Sequence, residues 1–137
     1  MGFWEKLQGI FGGSVLDGKR LTQVQNEALA ELLVLATIVD GDIDESERAA
    51  AVTVLRPLNW RGEVELKTFL ANAALRFRNA DTQPEKLGPW CEEFAVRLGS
   101  PDVIKAAYDV CETIAGAHEG VSKEESEFLA IFRKQIA

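Results

Sequence analysis

The sequence is poor in the residues on which most catalysis and cross-linking depend. Histidine occurs once, as His118, and cysteine twice, as Cys91 and Cys111. A Cys–His or Ser–His pair therefore has a single imidazole to draw on. The phosphate-binding G-x-x-x-x-G-K-[ST] pattern, the G-x-S-x-G nucleophile turn and the H-E-x-x-H metal helix are all missing. No C-x-x-C occurs, which removes the usual redox motif and zinc knuckle. The two thiols leave one disulfide open, but within helical patterns they read as small buried apolar groups. No apolar run approaches the roughly 18 residues of a membrane-crossing helix, and the N-terminus lacks the basic start and cleavage site of a secretory signal. A soluble, cytoplasmic protein is expected. Positive charge is also scarce. Fifteen Lys and Arg face 22 Asp and Glu, giving a formal charge of -7. An acidic surface repels phosphate backbones, so no nucleic-acid partner is expected; cations or basic protein surfaces suit it better.

What the chain does have is apolar spacing of three and four residues, as in amphipathic helices, and no alternating strand pattern. Hydrophobic residues make up 47% and charged residues 27% of the sequence, as in an ordinary globular domain. The expected fold class is all-α, a single domain over residues 1–137. Residues 1–13 carry a short amphipathic segment with Phe3, Trp4, Leu7, Ile10 and Phe11 on one face. With Lys6 its only basic side chain, a terminal helix packed on the domain is favoured over an interfacial membrane anchor. The first half spans about 22–78. A helix from about Thr22 to Val39 is apolar on nearly every face and so belongs at the centre. A second starts near Asp44 and stops before Pro57. A third covers about Glu63 to Arg78, with Leu66, Phe69, Leu70, Ala73, Ala74 and Phe77 on one side. Asn79 to Pro89 is rich in helix breakers and reads as the connection between halves, with some helix around Pro84. The second half spans about 89–136. It contains helices from Pro89 to Leu98, from Asp102 to Ala117, and from Ser122 almost to the C-terminus.

The ends of the two long helices repeat. The first runs Asp40-Gly41-Asp42-Ile43-Asp44-Glu45-Ser46-Glu47 and the second Glu119-Gly120-Val121-Ser122-Lys123-Glu124-Glu125. Each copy has an acid, a glycine, an aliphatic residue, a capping residue and, three places later, a glutamate. The glycines suit helix termination. Asp44 with Glu47 and Ser122 with Glu125 have the form of capping boxes. Capping does not account for Asp40, Asp42 or Glu119. Asp40, Asp42, Asp44, Glu45 and Glu47 fall within eight positions, and their repulsion is relieved by a cation, a basic partner or bulk water. Oxygen-rich loops of this kind suit hard cations. The start Asp40-x-Asp42-x-Asp44 matches an EF-hand loop, but Glu45 stands where its glycine belongs and Ala51 where its final glutamate belongs, so it is not one. For Asp40, Asp42 and Glu119, cation binding and a plain solvated acidic face stand as equal readings. His118, at a helix C-terminus, suits the helix dipole and is also a candidate ligand beside Glu119.

Asp40-Gly41-Asp42-Ile43-Asp44-x-x-Glu47 and Glu119-Gly120-Val121-Ser122-x-x-Glu125 resemble the paired acidic loops of the TerB-like family of tellurite-resistance proteins. The resemblance covers about Thr22 to Ile136, and the opening Met1-Gly2-Phe3-Trp4-Glu5-Lys6 is similar to the start of stand-alone members. It implies about seven helices in two pseudo-twofold halves, with the two acidic loops close together and holding a divalent cation. The expected metal site is then Asp40, Asp42, Asp44 and Glu47 with His118, Glu119 and Glu125. Oxygen ligands favour calcium or magnesium, with zinc or manganese if His118 joins. The second loop departs from the family in having Glu119 where aspartate usually precedes the glycine, so a second equivalent site does not follow. A related domain precedes the J domain in DjlA-type co-chaperones; this chain has no His-Pro-Asp motif and is no J protein. The resemblance implies no catalytic activity and no small-molecule substrate. It implies a part in a tellurite or chemical-stress response with protein partners, at or beside the inner face of a membrane. The alternatives are a structural adaptor or membrane-associated scaffold without metal, and an enzyme working through carboxylates alone.

Overall fold

A computed structural model describes residues 21–39, 55–56, 60–80, 84–115 and 123–136. The described residues form five helices and no strand: α1 (Gln23–Ile38), α2 (Leu66–Asn79), α3 (Pro84–Leu98), α4 (Pro101–Ala115) and α5 (Lys123–Arg133). The all-helical expectation holds for them. The amphipathic segment of residues 2–11 and nearly all of the helix expected between Asp44 and Pro57 lie outside the described residues. No described helix is long and apolar enough to cross a membrane.

α1 is the axis of the fold. Ala28, Leu29, Ala30, Leu32, Leu33, Val34, Leu35 and Ala36 are all buried, so no face of its middle turns meets water. Burial on every side requires neighbours on every side, and α1 packs against each of the other four helices. Each fully buried Leu contributes about 1.5–3 kcal/mol. Its start is fixed by a capping box. The Gln25 N–H donates to Thr22 Oγ1 (3.1 Å), and the Thr22 N–H donates to Gln25 Oε1 (2.9 Å). The side-chain Nε2 of Gln25 also donates to the Leu98 carbonyl (2.7 Å), tying the head of α1 to the tail of α3.

The remaining helices each bury one stripe. α2 turns Leu70, Ala73, Ala74 and Phe77 inward. The chain reaches it through a corner in which Trp60 donates to the Val64 carbonyl (2.9 Å) and meets Phe69 edge-on at 5.0 Å. Gly62 in this corner lets the backbone pass Gln23 closely; a Cβ there would come within 2.9 Å of that side chain. α3 buries Leu87, Cys91, Phe94 and Leu98, a spacing of four, three and four. It begins at Pro84 and runs through Gly88 and Pro89, so the expected breaker-rich connection is largely helix. Proline is well placed at a helix start, and the inward stripe from Leu87 onward overrides the low propensity of Gly88-Pro89. α3 stops where expected, at Gly99, whose φ of +81° is cheap only for glycine. Ser100 then caps α4, its Oγ accepting from the Asp102 N–H (3.2 Å), with Pro101 as first helical residue. α5 closes the core with Phe128, Leu129 and Phe132, and Phe132 stacks on Tyr108 of α4.

Cys91 and Cys111 are free and buried. Burial, reinforced by the neighbouring Glu92, pushes the Cys91 thiol up to about 12, and burial raises Cys111 as well. Both are neutral core groups at physiological pH, not nucleophiles.

Candidate functional site

One charged group interrupts the apolar run of α1. Glu31 lies between Ala30 and Leu32, and its side chain is only 9% exposed. A carboxylate in such a place must be paired, since desolvating an isolated charge is prohibitive. Two guanidiniums meet it. Arg97 of α3 grips both oxygens, Nη1 on Oε1 at 3.0 Å and Nη2 on Oε2 at 2.9 Å. Arg76 of α2 donates through Nη2 to Oε1 at 2.8 Å. Glu93, one turn before Arg97, lies 3.4 Å from Arg97 Nη1 at the surface. The hydrogen bond to Glu31 raises the Arg97 pKa above its ordinary value, against the opposing effect of burial. The arrangement joins three helices through one carboxylate.

The same groups line a cleft of about 460 Å³, with Phe77, Trp90 and Phe94 as its apolar walls. Phe77 and Phe94 are buried, Trp90 is half-buried, and the Phe77 and Trp90 rings lie 4.7 Å apart. The Arg76 guanidinium sits 4.8 Å from the centre of the Phe77 ring, a cation–π contact. A second groove, between α4 and α5, is lined by Tyr108, Glu112, Ser126, Leu129, Ala130, Arg133 and Lys134.

Asp40, Asp42, Asp44, Glu47, His118 and Glu119 lie outside the described residues. Glu125 has its backbone in the first turn of α5, and its side chain is not described. Among the described residues no three His, Cys, Asp or Glu side chains come together as a metal site. The described helices do define how the chain enters the acidic segments. α1 closes with the Val39 N–H on the Leu35 carbonyl (3.1 Å), directly before Asp40. α4 is described through Ala115, three residues before His118. Among the described residues α1 lacks a basic residue in its last turn and α4 in the turn up to Ala115, whereas α2 has Arg76 and Arg78 there, α3 has Arg97 and α5 has Arg133.

The Glu31 cluster was missed by sequence reasoning, although its signal was present. A single acid inside a helix apolar on all sides demands a cationic partner, and Arg76 lies on a helix already expected to pack on the core. The spacing Thr22-x-x-Gln25 likewise announced the capping box. No protein-family model, curated protein or solved structure matches the chain.

Proposed function

We propose that this chain is a non-enzymatic TerB-like module that binds a divalent cation through its two acidic segments and serves protein partners in a tellurite or chemical-stress response. The observation that carries the reading is the choice of helix ends. The negative end of a helix dipole is usually met by Lys, Arg or His. α2, α3 and α5 follow that rule with arginine; α1, the helix that leads into the first acidic segment, does not, and α4 has no basic residue in the turn up to Ala115. Aspartates placed just beyond an uncompensated helix C-terminus add negative potential to negative potential. A cation relieves both, and calcium or magnesium suits a set of oxygen ligands.

Asp40, Asp42, Asp44 and Glu47 form the first ligand group in this reading, and His118, Glu119 and Glu125 the second. The seven-helix, two-half arrangement of the family is part of the proposal, as is attachment to partners at a membrane face. A ligand that binds only the folded state raises the unfolding midpoint. Thermal unfolding with and without millimolar calcium is the test, repeated for Asp40→Asn with Asp44→Asn. The midpoint rises in the wild type and stays fixed in the double variant. An equal rise in both, or none with any divalent ion, leaves helix capping in a structural adaptor as the better account.

A further inference from the structure

We draw no further inference here: the strongest candidate, the open groove between α4 and α5 lined by Tyr108, Glu112, Leu129, Ala130, Arg133 and Lys134, carries none because Leu129 is buried, its rim mixes charges of both signs, and nothing in the structure shows what covers it.

Discussion

The molecule handles carboxylate charge in two opposite ways. At Glu31 a single buried acid is answered by two arginines from two other helices. In the stretch from Asp40 to Glu47 five acids stand with no basic residue among them until Arg48. The first is a solved electrostatic problem and holds α1, α2 and α3 together. The second is a concentration of acids in the sequence, and α1, which leads into it, lacks the arginine found in the last turns of α2, α3 and α5. In the proposed function the paired acid of the core serves structure and the clustered acids after α1 serve binding. That contrast yields tests in which the two regions respond differently.

The largest effect belongs to the buried cluster. Glu31→Ala leaves Arg97 largely buried without its main partner and should cost about 3–5 kcal/mol, read as a lowered midpoint in denaturant. Comparable stability of this variant and the wild type would show that the cluster is not structural.

The buried thiols should govern the alkaline limb of stability. Their pKa values are raised in the folded state, so the native chain holds its thiol protons at pH values where the unfolded chain, with thiols near 9.0, has released them. The contribution is therefore complete below pH 9.0 and is lost as pH rises toward about 12. The slope is about 1.4 kcal/mol per pH unit for each thiol. Denaturation curves between pH 8 and 10.5 check it: with Cys91→Ala and Cys111→Ala the steepness should fall, whatever the offset from lost packing.

Smaller effects separate backbone from charge. Gly99→Ala forces a side chain into the left-handed region, at about 1 kcal/mol. Thr22→Ala removes the cap of α1 at a similar cost of about 1 kcal/mol. Smallest of all, Asp40→Asn with Asp44→Asn, measured in chelator, should change stability by less than about 0.5 kcal/mol or raise it slightly, since it relieves repulsion. A large loss in chelator would mean that these acids act mainly as caps.

How far the sequence revealed this layout depended on how local each feature was. The central helix was legible because Leu29, Leu32, Leu33 and Ala36 carry its period, and the stop at Gly99 because one residue type fits that backbone. The start of α3 was not, because Gly88-Pro89 looks like a break until the burial of Leu87, Cys91 and Phe94 is known. Arg97 was not singled out either, since its partner lies 66 residues away and only packing brings α3 onto α1. The acidic segments show the reverse case. Their composition is conspicuous in the sequence, while of their candidate ligands only Glu125 falls on a described helix, by its backbone alone.

The most direct measurement is calorimetric titration of calcium and magnesium into chelator-stripped protein, wild type against Asp40→Asn with Asp44→Asn. Saturable binding of a divalent ion by the wild type, lost in the double variant while the Glu31 cluster keeps the fold intact, is the predicted result. No saturable binding by the wild type, or binding unchanged in the variant, contradicts the cation-binding function.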